Sequence, residues 1–337
     1  MRRRDLPTEF RAAAPARLDL AGGWTDVAPF SAREGGVVVN AAIALAARAE
    51  LSIGGPCIRL VAIDLDESLE CADSGGLQLD GKLDFLKAAL RMFPVQSTCT
   101  LTTRADTPPG SGLGTSGAMG VALVSLLAHA REERLGERDI AEHAFHLESG
   151  EVKHPGGRQD QYAAALGGVH RLAFRDPDVG IEPITLDGAF AAELERRLVL
   201  CYTGRSRVSG ETIARVMGAY ERGDRGVTGA LRALRDVAES MVDALRGADL
   251  ERVAALLGEN WRHQQALDPA MRTDEMARLE QAAMAAGALG GKAAGAGAGG
   301  SMFFVAGRDP GAVADAARAA GATILPVRWA PEGVRAW

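Results

Sequence analysis

The sequence predicts an α+β protein of two domains, and three observations carry that reading. Its 337 residues are enough for about two separate cores. Strand-like and helix-like segments alternate irregularly instead of repeating as βα pairs. Apart from a Gly/Ala tract at 285–300, no internal repeat or low-complexity linker interrupts them, and the boundary is expected within 171–200.

Taken in order, "AAPARLDLA" (13–21) alternates around Leu18 and Leu20 and reads as a strand. "GGWTD" breaks it, and residues 35–53 resume with β-branched and then apolar residues. Residues 54–80 mix short strands with turns, and 84–93 form an amphipathic helix pattern. The Thr-rich "STCTLTTRAD" is strand-like and runs into "TPPGSGLGTSGAMG" (107–120). Residues 116–130 carry few polar positions, which predicts a buried helix. Another helix is expected from Asp139, with Glu142 three residues on as a capping-box variant. Ile140, Ala141, Ala144, Leu147 and Glu148 share one side of it, with Glu148 at the edge of the apolar face. "GGVHRLAF" and "RRLVLCYTG" read as strands, long helices fill roughly 209–287, and "SMFFVAG" is a buried strand. A helix at 310–320 and a strand at 322–329 close the chain.

Composition narrows the function. At 47% hydrophobic and 24% charged the chain is an ordinary globular protein. A net charge of −6 argues against a general nucleic-acid binder, which would present a basic face. The longest apolar runs, 36–47 and 117–130, are too short to span a bilayer, so no membrane partner is expected. Arginines at positions 2–4 lack an apolar stretch behind them, so no signal peptide is expected. Cys57, Cys71, Cys99 and Cys201 form no C-x-x-C pair, which fits a reduced, cytoplasmic setting. His143 and His146 share a helix face, a weak metal signal on its own. Oligomeric state is not legible.

Two chemistries compete for the glycine loop at 107–120. Gly112, Gly114 and Gly117 satisfy G-x-G-x-x-G, the dinucleotide fingerprint. That fingerprint needs an immediate turn after its strand and an acid at the end of a second strand about 20 residues on. Pro108 and Pro109 intervene, and Glu132 and Glu133 follow a helix, so the context fails. A second match at Gly295, Gly297 and Gly300 precedes its strand, the reverse order. "GLQLDGKL" (76–83) starts like a P-loop but has Leu83 where Ser or Thr should bind magnesium. The remaining reading is a phosphate cradle. Glycines let backbone N–H groups close on an anion, and the following helix adds its positive N-terminus. Thr115 and Ser116 place hydroxyls there for phosphate or Mg²⁺.

Three segments together resemble the GHMP kinases. "PPGSGLGTSGAMG" is similar to their central ATP-binding motif, "APARLDLAGGWTDVAPF" (14–30) to their sugar-binding motif, and "GGKAAGAGAGGSMFFV" (290–305) to their C-terminal glycine motif. Order and spacing agree over nearly the whole chain. Within the family, "GGRQDQYAAALGGVHRLAF", "CYTGRSRVSGETI" and "NWRHQQALDP" resemble the D-glycero-D-manno-heptose 7-phosphate kinases. Trp24 looks closer to the related L-fucose kinases.

The resemblance implies a fold: a domain like ribosomal protein S5 domain 2 over 1–180 and a ferredoxin-like domain over 181–337, with ATP and sugar between them. It implies Mg²⁺ and ATP as cofactors, and a sugar or sugar phosphate phosphorylated at its anomeric hydroxyl. The activity expected is conversion of heptose 7-phosphate to the 1,7-bisphosphate. An L-fucose or other free-sugar 1-kinase, or a regulator that binds without turnover, stands as the alternative. Site roles follow by the same resemblance. Asp160 would stand beside the accepting hydroxyl and Arg17 would stabilise the transferred phosphoryl group. Pro109, Gly110, Ser111, Gly112, Leu113, Gly114, Thr115 and Ser116 would bind ATP. Ser116 and Glu148 would hold Mg²⁺. Gly22, Gly23, Asp26, Gly157 and Gly297 would meet the sugar. Lys153, Arg158, Arg205 and Arg207 flank these motifs as candidates for a substrate phosphate. Departures are Thr115 for serine, Gly117 where alanine is common, expected to loosen the helix start, and Ala298 in the third motif, tolerable if its φ is negative.

Overall fold

The computed structural model describes residues 9–205 and 210–337. Strand β1 (Glu9–Ala21) pairs antiparallel with β2 (Gly36–Ile53) along almost their whole length. Their register shifts at Pro15, which has no N–H to give the ladder. The outer half of β2 pairs with β5 (Cys99–Ala105), beyond which lie β3 (Ile58–Ala62) and β4 (Glu67–Cys71). Its inner half pairs with β6 (Val169–Arg175), which pairs with β7 (Asp178–Pro183). A second sheet has the order β11 (Thr323–Leu325), β8 (Leu198–Tyr202), β10 (Ser301–Ala306), β9 (Ala288–Ala293). The last strand, β12 (Arg335–Ala336), returns to pair with β1. A division at 180/181 would therefore cut β7, and the chain's end rejoins the first sheet.

The helices are α1 (Phe30–Glu34), α2 (Asp84–Met92), α3 (Thr115–Ala130), α4 (Glu137–Phe145), α5 (Gln159–Leu166), α6 (Gly188–Arg197), α7 (Gly210–Glu221), α8 (Arg225–Arg246), α9 (Leu250–Gln265), α10 (Asp274–Ala285) and α11 (Pro310–Ala319). Helix α3 is apolar nearly all round because β1, β2, α2, α4 and α5 surround it. On the opposite face of the first sheet, Leu18, Leu20, Val39 and Ile43 share one core with Leu200, Phe303 and residues of α8 and α9. The two sheets are thus joined by continuous apolar packing, which fixes the walls of the cleft between them.

Two local expectations are corrected. Helix α4 starts at Glu137 on a Gly136 cap, whose N–H donates to the Asp139 carboxylate at 3.3 Å. Glu142 is instead taken by the Tyr162 hydroxyl at 2.6 Å. The strand expected at 322–329 is short, Thr323–Leu325, and the chain beyond it bridges Ile43 through Trp329. His143 stacks edge-on against Phe93, and among the described residues no cluster of three or more metal-type side chains occurs. No helix among them is long and apolar enough to cross a membrane.

Candidate active site

A cleft of about 370 Å³ opens between the two sheets. One wall is the glycine loop before α3. Gly110, Gly112 and Gly114 take φ values of +68°, +75° and +73°, a run that only glycine adopts without strain, and Gly114 caps α3. Gly110, Ser111, Gly112, Gly114, Thr115 and Ser116 line the cleft; Leu113 lies buried beneath it, and Pro109 is outside the lining. Ser111 Oγ is buried without a partner among the described residues, and Thr115 Oγ1 bonds Thr107 Oγ1 at 2.6 Å. The opposite wall is the turn at Gly295–Gly299, with Gly297 in the lining.

Arg17, on β1, ties these walls together. Its Nη1 donates to the carbonyls of Gly112 and Ala294, both at 2.9 Å, and its Nε donates to Asp160 Oδ1 at 2.8 Å. Asp160 sits in the first turn of α5, where the helix dipole favours a carboxylate. A Cβ at Gly117 would stand 2.6 Å from the Asp160 Cβ. So Gly117 does not loosen the helix start; it lets α5 approach α3 and bring Asp160 to the loop. Ala298, by contrast, takes φ +55°, contrary to the negative φ expected, and carries a strain of about 1 kcal/mol.

Glu148 lies not on a regular helix face but in a π-helical turn, His146–Glu151, that continues α4. Such turns recur at functional sites because they re-aim one side chain. Its Oε1 accepts from Ser116 Oγ at 2.5 Å and its Oε2 from Gln161 Nε2 at 2.6 Å. Burial raises its pKa to about 7 against those two hydrogen bonds. Only neutral donors meet this carboxylate. One carboxylate and one hydroxyl beside a phosphate cradle suit Mg²⁺, which takes its remaining ligands from phosphate oxygens and water.

Asp26 is 5% exposed, and its Oδ2 accepts from the Gln159 N–H at 3.1 Å. Burial, with help from the charges of Asp160 and Asp19, pushes its pKa up to about 7 despite that bond. A Cβ at Gly157 would lie 1.9 Å from Asp26 Oδ2, so glycine is required there. Gly23 lines the cleft, while Gly22 lies behind it and donates its N–H to Asn260 Oδ1 of α9 at 2.9 Å.

Of the arginines expected at a substrate phosphate, the two described, Arg158 and Arg205, lie outside the cleft lining. Arg158 donates to the Pro177 carbonyl at 2.8 Å, pairs with Asp176 at 3.3 Å and stacks over Phe145. Arg205 is 64% exposed and pairs with Glu275 at 3.1 Å. Lys153 is exposed, and Arg207 lies outside the described residues. Among the described residues, the basic side chains lining the cleft are Arg17 and His154. The sequence alone assigns no role to His154, Gln159 or Asp19, all in the lining. The one signal available was a charged residue, Asp19, inside an apolar strand.

A glycine loop at positive φ before a helix N-terminus, with an arginine-clamped carboxylate beside it, is the arrangement a small-molecule kinase requires. Comparison with known proteins agrees. Residues 83–168 match the GHMP kinases N terminal domain and residues 241–323 the GHMP kinases C terminal domain. The chain belongs to the GHMP kinase family, whose members use ATP as phosphate donor. It is 34% identical to D-glycero-alpha-D-manno-heptose 7-phosphate kinase of Campylobacter jejuni, over 88% of each chain. It is 26% identical to the bifunctional fucokinase/GDP-fucose pyrophosphorylase of Arabidopsis thaliana, over 89% of this chain and 30% of that one. A solved D-glycero-D-manno-heptose 1-phosphate kinase from Bacteriodes thetaiotaomicron superposes with a TM-score of 0.79 at 27% identity, covering 97% of this chain and 98% of that one.

Proposed function

We propose that the chain transfers the γ-phosphoryl group of ATP to the anomeric hydroxyl of a sugar, with D-glycero-D-manno-heptose 7-phosphate as that sugar. The 34% identity to a kinase of that name carries this reading. Asp160 accepts or orients the hydroxyl proton while the sugar oxygen forms its bond to the γ-phosphorus and the bond to ADP breaks. Arg17, locked by the carbonyls of Gly112 and Ala294, holds Asp160 against the glycine loop and balances charge on the moving group. Asp26 and the backbone at Gly23 and Gly157 grip sugar hydroxyls. Ser116 and Glu148 would hold Mg²⁺, which when bound neutralises phosphate charge. Little covalent chemistry is asked of the protein; positioning does most of it.

A free-sugar 1-kinase is the second reading. Its support is that Arg158 and Arg205 are committed to carboxylates away from the cleft, together with the fucokinase relative. ADP release with heptose 7-phosphate, L-fucose and galactose, with Asp160→Asn as control, separates the two. Turnover with the heptose phosphate alone, and an anomeric phosphate in the ³¹P spectrum of the product, supports the first. Turnover with free fucose alone replaces it with the second.

A further inference from the structure

Asp19 lies on β1 two residues beyond Arg17, lines the same cleft and is 1% exposed. Its Oδ2 accepts from Lys292 Nζ at 2.9 Å, and the same ammonium donates to the Asp19 backbone carbonyl at 2.6 Å. Lys292 belongs to β9 in the second sheet and is fully buried. A Cβ at position 23 would stand 2.2 Å from Asp19 Oδ2, so Gly23 packs directly on the oxygen that lysine holds. The other oxygen, Oδ1, is buried and has no hydrogen-bond partner among the described residues. A carboxylate oxygen left bare in a cleft wall is costly until a donor reaches it. Three more polar atoms of cleft-lining residues share this condition, Trp24 Nε1, Ser111 Oγ and Gln159 Oε1. Trp24 is held at φ +81°, an uncommon conformation for a bulky residue. Unpartnered donors and acceptors on the residues of one cleft suit a polyol, whose hydroxyls give and take hydrogen bonds.

We propose that Asp19 is a substrate-binding residue whose Oδ1 accepts a hydrogen bond from a non-reacting hydroxyl of the acceptor, with Lys292 as the positioning residue that fixes the carboxylate from the second sheet. This rests on the reading of the cleft as a sugar kinase site. The ion pair crosses between the sheets, so acceptor affinity depends on their apposition as well as on the first domain's own motifs.

The test uses the full chain with heptose 7-phosphate and its monodeoxy analogues, in the unaltered protein, Asp19→Asn and the double variant Asp19→Ala/Lys292→Met. The double variant removes both charges, so it leaves no unpaired buried lysine to unfold the protein. The expected result is a KM for the sugar raised about 10- to 100-fold in both variants, with the KM for ATP within about twofold. One monodeoxy analogue should carry that penalty in the unaltered chain and add almost nothing to it in the double variant. A double variant with a native Tm and an unchanged sugar KM would make Asp19 purely structural and overturn the proposal. Equal penalties from every analogue in both proteins would overturn it too. If the unaltered chain turns over L-fucose and not the heptose phosphate, the substrate reading alone falls, and the same comparison is read on fucose. Turnover of neither sugar removes both.

Discussion

Arg17 and Arg158 are two largely buried arginines, each against carboxylates, and they stand on opposite sides of the same helix start. Arg17 faces the cleft and bonds Asp160 and the carbonyls of both glycine turns. Arg158, two residues before Asp160, turns away to Asp176, Glu142 and the Phe145 ring. Position 160 is inside the first turn of α5, whereas 158 precedes it, so the side chains leave in different directions. Proximity in sequence to a functional motif therefore does not place a charge in the site.

The sharpest way to break this contrast is at Asp160. Asp160→Asn should lower kcat by about 10³-fold with little change in Tm. Arg17→Met is expected to cost about 10²- to 10³-fold in kcat, since it loosens both walls and Asp160 together. Arg158→Met should behave oppositely, losing about 1–3 kcal/mol of stability with the sugar KM within twofold. Should it raise the sugar KM tenfold at unchanged Tm, the arginine serves the substrate and the contrast collapses. Gly117→Ala, which pushes a methyl against Asp160, should reduce kcat about tenfold. Smallest is Arg205→Ala, an exposed pair, within about 0.5 kcal/mol in stability and twofold in KM.

The carboxylates supply a pH prediction. Asp26 and Glu148 both have pKa values raised to about 7, so the folded chain keeps protons that the unfolded chain has released above about pH 4.5. Their contribution favours folding below that pH and is lost as pH rises through about 7. Without ligands, Tm should fall between pH 5 and 8, and Mg²⁺-ATP should narrow the fall by binding the ionised Glu148. Glu148→Gln should shrink both the pH slope and the Mg²⁺ response, measured by thermal unfolding. An unchanged Mg²⁺ response in that variant would put the ion elsewhere.

Much of the fold is legible in the sequence alone. The strand at 13–21, the Thr-rich strand and the apolar helix after the glycines all form, because β-branched and alternating residues favour extended chain and an apolar run with helical spacing favours a buried helix. The glycine loop was legible too, since only glycine accepts its run of positive φ values. What could not be read were contacts spanning long stretches of chain. That Gly117 serves Asp160, that Asp19 meets Lys292 across 273 positions, and that Arg158 turns its back on the cleft are set by how α5 and the two sheets pack. The sequence by itself determined which backbone could cradle an anion, because that is a matter of local sterics. Only the tertiary structure decided which charges share the cleft, because a buried charge goes where its partner is, and the partner lies on another element.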